Sequence, residues 1–397
     1  MSGFDDAAKL TESEEVRLRA RFGSEFEVKK IEGGGIELDV PGDASRRFNS
    51  AVKGVSLQLS HRELLFKNCL ISLVSSAEWF LSQILREFFE SFPDASGVKD
   101  KTLTLDDLRE LGSIEDAETY LISLRVDEIM WGSLEDWMKF LRNTVKLSMG
   151  YLAEDERKLV EVFQRRNVMV HNDGTVHHSY LKKVAESLRT GVKQGMQIGV
   201  TPDYLRSAID TVEKCFVLIG AELWKKLNAK DEKRAGVLNE VTMEALYAER
   251  YEVAAGASRF LMEDRQLPEK WHLYGRLNYW QTMKWWGKFE GVNNEIQDAD
   301  FTAKDDLIQL ARYVLLDQFD GALPLLEATL VGKKLGLKEL EDWPIFKEFR
   351  KDERVQAIIA TERKKTSSTV QLTSEELESA ENAESLAVTA AAKQTIN

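Results

Sequence analysis

Apolar residues recur at helical spacing along most of the chain. Between Val55 and Phe92, aliphatic and aromatic side chains return every three or four positions, and the run stops at Pro93. This period is typical of an α-helix that buries one face, so we expect one long helix or a pair of helices. The same pattern predicts two or three helices over 104–147 and single helices over 154–171, 180–188 and 203–227.

The predicted helix over 154–171 has one charged residue on its apolar stripe. The stripe repeats at intervals of four, three and four and consists of Leu159, Phe163, Arg166 and Val170. Residues 172–174 read Asn-Asp-Gly, a combination that terminates helices. We therefore expect this helix to end just after His171.

Arg166 and His171 are candidates for chemistry at the end of this helix. A guanidinium matches the geometry of phosphate oxygens, and an imidazole transfers protons near neutral pH. On an ideal helix His171 lies roughly 140° around the axis and roughly 7.5 Å beyond Arg166, whereas Asn167 and His171 share a face. Two structural interpretations stay open: the arginine extends to solvent from its apolar stripe, and the histidine only complements the helix dipole.

The string Arg-Asn-x3-His, its His-Asn-Asp-Gly continuation and the long apolar helices before it resemble the HEPN family. The motif of that family is Arg-x4-6-His in an all-helical bundle, and the resemblance covers residues 50–228. It implies either a metal-independent endoribonuclease whose site contains Arg166, Asn167 and His171, or a member that has lost activity. Family members often have a polar site residue on a preceding helix. Glu78 is our candidate, and exposure on the outer face of its helix is the alternative explanation.

The resemblance also implies a homodimer and a biological role. HEPN domains usually pair so that two motifs face one cleft, which predicts a composite site with both copies of Arg166 and His171. A nuclease of this kind joined to a partner-binding module resembles a prokaryotic defence or toxin effector, with RNA as its substrate.

The pattern changes after a charged segment at 225–236, which we take as a domain boundary. Tyr251-Glu252-Val253-Ala254 and Phe319-Asp320-Gly321-Ala322 are similar quartets 68 residues apart, or two periods of 34. The quartet at 289–292 lies between them but is four residues out of phase. A period near 34 resembles tetratricopeptide-type helix pairs, so the C-terminal half is expected to bind a protein partner or an antitoxin. Ordinary amphipathic helices are the alternative.

The chain ends differ from the two helical parts. A helix is predicted over 11–21, and alternating residues on both sides of Gly33-Gly34-Gly35 predict a small β-hairpin that we expect to cover the first helical domain as a flap. The polar, glutamate-rich end predicts a disordered tail. The expected fold is mainly α: an N-terminal segment at 1–50, an HEPN-like bundle at 51–228, a tetratricopeptide-like domain at 229–363 and the tail at 364–397.

Composition limits how RNA is bound. The net charge of -13 and the pI near 5.2 give no overall basic surface, so RNA must contact a local patch. Arg165, Lys182 and Lys183 are the substrate-binding candidates near the motif, although such charges more often form a solvated face.

The sequence predicts no metal site, no cofactor and no membrane segment. Its five histidines and two cysteines have no zinc-ligand spacing. Cys69 and Cys215 lie within apolar helical patterns, where small buried thiols are common. The adjacent His177 and His178 are predicted to lie in a loop or at a helix start. Without a secretory signal or an apolar run long enough to span a bilayer, we expect a cytoplasmic protein.

Three functions therefore remain in order of preference. The first is an endoribonuclease that uses Arg166 and His171. The second is a non-catalytic helical adaptor, in which the motif supports dimerisation and the C-terminal half binds a protein. The third is other phosphoryl chemistry, for which no carboxylate pair or glycine-rich loop is evident.

Overall fold

The structure, a computed structural model, describes residues 27–31, 35–39, 45–97, 101–301 and 305–364. The described part is mainly helical, as the sequence predicts, and it contains 15 helices. The helix predicted over 11–21 and residues 365–397 of the predicted tail lie outside the described residues.

Seven helices make up the described chain between residues 45 and 227. They are α1 (Ser45–Ser91), α2 (Leu105–Leu111), α3 (Ile114–Met130), α4 (Leu134–Asn143), α5 (Asp155–His171), α6 (His178–Lys183) and α7 (Pro202–Leu227). Local side-chain hydrogen bonds determine where two of these helices begin. Thr104 and Ser133 each form a capping box with the aspartate three residues later, which satisfies backbone N–H groups that a helix start leaves free.

The C-terminal part consists of α8 (Lys233–Tyr247), α9 (Tyr251–Glu263), α10 (Glu269–Trp285), α11 (Glu290–Asp298), α12 (Asp306–Leu315), α13 (Phe319–Val331), α14 (Leu337–Asp342) and α15 (residues 353–364). A continuous apolar core in this part includes Trp280, Leu310, Phe346 and Phe349.

The same turn recurs three times in the C-terminal part. Glu249, Gly287 and Asp317 have positive φ angles of 57°, 75° and 55°, and each lies two residues before an aromatic residue that begins or caps a helix. The intervals between these turns are 38 and 30 residues. The quartet at 289–292 therefore lies at the equivalent structural position, and the unequal intervals explain why it is out of phase with a strict period of 34.

Contacts divide the chain into two compact units. The first comprises residues 1–80 and 153–212, and the second comprises residues 81–152 and 213–397. The division falls inside α1 and α7, and the boundary between residues 228 and 229 stays a prediction. Helix α5 with its motif belongs to the first unit, and α8–α15 belong to the second.

Two short strands precede α1. Glu27–Ile31 pairs with Gly35–Asp39 in antiparallel register, with Val28 opposite Leu38. They add little to a mainly helical protein, and their role as a flap stays a prediction.

Helix α1 differs from expectation in two respects. Among the described residues, His61–Ser91 is long and apolar enough to cross a membrane by length and composition, so the expectation that no run reaches this length is wrong. Cys69 is exposed, contrary to prediction, whereas Cys215 is buried as predicted. The buried stripe of α1 runs through Leu70, Val74 and Leu81, and position 69 lies beside it.

Candidate functional site

Helix α5 ends where the sequence predicts. His171 is its last residue, and Asn172 follows as the C-cap. The chain then turns through Asp173 and Gly174, which have positive φ angles of 47° and 84°. The Gly174 N–H donates to the Val168 carbonyl at 3.1 Å, which satisfies a backbone oxygen that the helix end leaves free. This turn fixes the position of His171 at the end of the helix.

Arg166 is joined to a residue of α1. Its Nη2 donates to the carboxylate of Glu78, 88 residues earlier in the chain, and its Nη1 donates to Asn167 Oδ1 at 3.1 Å. The side chains of Arg166 and Glu78 are 17% and 31% exposed. The Nε atom of Arg166 is buried and has no hydrogen-bond partner among the described residues. The structure therefore brings three of the four predicted catalytic residues into one hydrogen-bonded group.

His171 is exposed at the edge of this group. It lies five residues after Arg166 in the same helix, which places it roughly 140° around the axis and roughly 7.5 Å further along. It shares a helix face with Asn167, the residue that also accepts from Arg166. Within one chain, then, the imidazole and the guanidinium lie on different faces with Asn167 between them.

The turn after His171 is held from two sides. On one side, Lys67 Nζ of α1 lies 2.7 Å from Asp173 Oδ1, and this hydrogen bond lowers the pKa of Asp173. On the other side, Val176 N–H donates to the Met196 carbonyl at 2.9 Å, and Ile198 N–H donates to the Gly174 carbonyl at 3.0 Å. The loop at 195–198 therefore lies directly against the end of the motif helix.

Arg165, the neighbour of Arg166, is engaged inside the protein. Its Nε lies 2.7 Å from Glu161 Oε1, its Nη1 donates to the Gly199 carbonyl at 2.8 Å, and its guanidinium carbon lies 4.0 Å from the ring centre of Tyr204. Burial alone would lower the pKa of Arg165, but the charge and hydrogen bond of Glu161, together with Tyr204 and Tyr180, outweigh burial and raise it. These contacts hold the loop before α7 against α5.

Glu161 is the centre of a cluster that the sequence did not identify. Its carboxylate is buried and accepts from the Tyr180 hydroxyl at 2.8 Å and the Tyr204 hydroxyl at 2.7 Å, in addition to Arg165. Burial and then the charge of Glu161 raise the pKa of both tyrosines. The only local signal was the spacing of four between Glu161 and Arg165, since both tyrosines lie far along the chain.

The remaining candidates lie on α6 or at its start. Lys182 and Lys183 are exposed residues in the last turn of α6. His177 caps the start of α6, where its Nδ1 accepts from the Tyr180 N–H at 3.2 Å, which confirms that this histidine pair lies at a helix start. The role of the lysines in substrate binding stays a prediction.

No family model matches the chain, and neither a curated protein nor a solved structure matches it. The case for function therefore depends on the residues and their geometry.

Proposed function

We propose that this protein is an HEPN-type endoribonuclease that cleaves RNA without a metal ion. The observation that carries the proposal is the pairing of Arg166 with Glu78. Two helices, α1 and α5, bring a carboxylate, a guanidinium and an amide together, and the amide of Asn167 lies one helical turn before the exposed His171.

The reaction needs two proton transfers and one source of charge stabilisation. A base removes the proton from the ribose 2′-OH, the 2′-oxygen attacks phosphorus, and the bond from phosphorus to the 5′-oxygen breaks as an acid protonates that oxygen. The products are a 2′,3′-cyclic phosphate and a 5′-hydroxyl. His171 supplies a proton-transfer group, which contributes on the order of 10²- to 10⁴-fold.

Arg166 stabilises the negative charge that develops on the phosphate oxygens. Two of its donor nitrogens already bind Glu78 and Asn167, and a guanidinium has five N–H donors in all. Glu78 therefore orients the guanidinium and leaves further N–H groups for phosphate. Asn167 lies between the charged group and His171, where its amide suits a hydrogen bond to the ribose or to the imidazole.

A homodimer completes the site in this proposal. One histidine does not readily serve as base and acid on the same scissile bond, and His171 lies on a different helix face from Arg166 within one chain. A second copy of α5 facing the first supplies the missing proton-transfer group. The exposure of His171 is compatible with such pairing.

Purified full-length protein, incubated with structured RNA and a chelator, tests the proposal. We expect cleavage that leaves 2′,3′-cyclic phosphate ends and disappears in His171→Ala. His178→Ala is the matched control, because His178 is also exposed and lies at a helix end. Equal cleavage by wild type and His171→Ala would reject the proposal.

The second candidate is a non-catalytic adaptor, and the three recurrent turns of the C-terminal part favour it, because they suit a helical-repeat array that binds protein. Expression of the wild-type protein and of variants at Arg166 and His171 distinguishes the two functions. Growth arrest that disappears in the variants favours the nuclease. Growth that is the same in wild type and variants favours the adaptor.

The biological role that we propose is a cytoplasmic defence or toxin effector. A nuclease domain joined to a helical-repeat part suits an enzyme whose RNA cleavage is controlled by a protein partner or an antitoxin. The helical-repeat part is where we expect that partner to bind.

A further inference from the structure

A cavity of about 700 Å³ lies in the second unit, among α8, α10, α14 and the turn that follows α13. Cavities of roughly 300–1,000 Å³ hold drug-sized ligands in proteins, so this one has room for a small molecule. Every residue that lines it belongs to the second unit. A ligand here is therefore independent of whether Arg166 and His171 cleave RNA.

A chain of amide hydrogen bonds orients the polar wall of the cavity. Gln281 is fully buried, and its Nε2 donates to Asn278 Oδ1 at 2.5 Å. Asn278 Nδ2 in turn donates to Asn239 Oδ1 at 2.8 Å, and both asparagines line the cavity. Because the two amide oxygens accept within this chain, the amide nitrogens, which carry two N–H groups each, remain for an occupant. This wall therefore presents hydrogen-bond donors.

A further donor is buried without a partner. Trp343 lines the cavity, and its Nε1 is shielded from water and has no hydrogen-bond partner among the described residues. A buried N–H without a partner is uncommon in folded proteins. The Trp343 ring packs edge-on against the buried Phe346, with ring centroids 5.3 Å apart at 87°, so packing holds the indole in place independently of any occupant.

The remaining walls are aromatic. Tyr247 and Tyr274 line the cavity together with Trp343. The Tyr274 ring packs edge-to-face on Trp271, with ring centroids 5.9 Å apart, which restricts its rotation. Tyrosine and tryptophan present flat π-faces, and the bases of nucleic acids stack on such faces. The walls therefore suit a flat ring that has hydrogen-bond acceptors along its edge.

Two lysines of the lining carry positive charge without a counter-ion. Lys333 lies in the turn after α13 and Lys338 lies on α14; both are exposed and form no ion pair with any described residue. Lys334, between them in the sequence, is paired with Asp305 at 3.2 Å. A lysine ammonium binds phosphate as a point charge, and a phosphate monoester carries about −1.5 to −2 charge at neutral pH. Two unpaired lysines therefore match one phosphate monoester better than one carboxylate.

Two carboxylates also line the cavity, and the fold gives each a positive counterpart. The Glu339 side chain folds back over Gly336, the N-cap of α14, where an added Cβ would collide with Glu339 Oε2. Free N–H groups at a helix start favour negative charge. Asp342 interacts with Arg350, because burial lowers the pKa of that guanidinium and the charge of Asp342 opposes the effect of burial. The two lysines are thus the charges of the lining that stay uncompensated.

We propose that this cavity binds a free nucleoside monophosphate. The base stacks on the aromatic walls and accepts hydrogen bonds from Asn239, Asn278 and Trp343, while the phosphate lies at Lys333 and Lys338. Guanine suits these donors, because its O6 and N7 are adjacent acceptors on one edge, whereas adenine has a donor beside N7. The volume of the cavity suits one nucleotide rather than a strand of RNA.

Calorimetric titration of the full-length protein with guanosine 5′-monophosphate (GMP) tests the proposal. We expect one GMP to bind per chain, and guanosine, which lacks the phosphate, to bind on the order of tenfold more weakly. The variant K333E/K338E is expected to weaken GMP binding on the order of a hundredfold, because it replaces attraction of the phosphate by repulsion. Lys230→Glu is the matched control and is expected to bind as wild type does, because Lys230 is exposed in the same unit and does not line the cavity.

Two further variants separate the donor and the location of the nucleotide. Trp343→Phe keeps an aromatic wall and removes the Nε1 donor, so it is expected to weaken GMP binding on the order of fivefold. His171→Ala is expected to bind GMP as wild type does, because the cavity does not include the motif. Loss of GMP binding in His171→Ala would place the nucleotide at the motif and overturn the proposal.

A short RNA distinguishes a free nucleotide from the end of a strand. A 5′-phosphorylated trinucleotide that begins with guanosine is titrated into His171→Ala, so that cleavage does not interfere, and is expected to bind on the order of tenfold more weakly than GMP. Binding as tight as that of GMP would overturn the assignment to a free nucleotide. The absence of GMP binding in wild type, or equal GMP affinity of wild type and K333E/K338E, would overturn the proposal as a whole.

Discussion

The guanidinium of Arg166 is ion-paired with the carboxylate of Glu78, although 88 residues separate them in the chain. Both side chains are largely shielded from water, so each compensates the charge of the other. Loss of either partner leaves a charged or polar group without compensation, which costs more than the net contribution of the intact pair.

Glu78→Gln is therefore expected to lower the free energy of unfolding by about 1–2 kcal/mol. The amide keeps the shape of the side chain and removes only its charge. Urea denaturation measures the effect. Glu63→Gln is the matched control, because Glu63 is exposed on the same helix; an equal loss in both variants would mean that the ion pair contributes nothing specific.

His171→Ala is expected to lower RNA cleavage by about 10²- to 10⁴-fold and to change stability by less than about 0.5 kcal/mol. The stability prediction follows from the exposure of His171 at the helix end. Cleavage rates with a chelator and thermal denaturation measure the two effects. A large loss of stability in parallel with activity would show that the imidazole is structural.

Mixtures of wild type and His171→Ala distinguish a composite site from a site within one chain. If one scissile bond needs both copies of His171, only wild-type dimers cleave, and activity falls as the square of the wild-type fraction. If each chain acts alone, activity falls linearly. Subunits must exchange before the assay, which a tagged and an untagged copy can verify by co-purification.

The Glu161 cluster is expected to dominate the stability of the first unit. Glu161→Ala leaves Arg165 and two tyrosine hydroxyls without their acceptor, so we expect a loss of about 3–5 kcal/mol. Tyr204→Phe removes one hydrogen bond and is expected to cost about 1 kcal/mol. Similar small losses for both variants in urea denaturation would contradict a central role for Glu161.

The same cluster predicts a decline of stability at alkaline pH. The raised pKa values of Tyr180 and Tyr204 keep both hydroxyls protonated in the folded protein, whereas unfolded tyrosine ionises near pH 10 (about its usual pKa). Their contribution is complete below that pH and is lost as pH rises through the folded-state values. Denaturation across alkaline pH, compared with the Y180F/Y204F variant, measures it.

Gly174 and Gly191 form a matched pair for testing the loop beside the motif. Both have positive φ, 84° and 77°, but a Cβ at 174 would lie 2.8 Å from Gln197 Oε1 and 3.1 Å from the Ile198 carbonyl, whereas nothing lies within 4 Å at 191. Alanine at either position is expected to cost about 1 kcal/mol through its backbone. Gly174→Ala should cost more and also lower cleavage; equal effects would show that the loop moves freely.

Local features of the sequence predicted local structure well. The end of α5 followed from Asn-Asp-Gly at 172–174, because helix termination depends on residues within one turn. The exposure of Cys69 was not predicted. The buried residues Leu70 and Val74 define which face of α1 points inward, and position 69 has to be compared with that face before it can be assigned as buried or exposed.

Contacts between distant residues were harder to predict. Glu78 entered as a candidate only through a family resemblance, because no spacing rule connects it with Arg166. The Glu161 cluster was not predicted at all, since its tyrosines lie 19 and 43 residues away. Glu161 also lies in a helix with many charged residues, so the sequence pattern does not reveal which of its carboxylates is buried.

The separation of Glu78 and Arg166 also has a consequence for protein synthesis. A ribosome that adds roughly 5–20 residues per second needs on the order of 4–18 s to pass from one codon to the other. During that interval the nascent chain carries the carboxylate without its guanidinium, and His171 has not yet been translated. Under the proposed function, truncated products that stop before α5 lack Arg166 and His171 and cannot cleave the message from which they are being read.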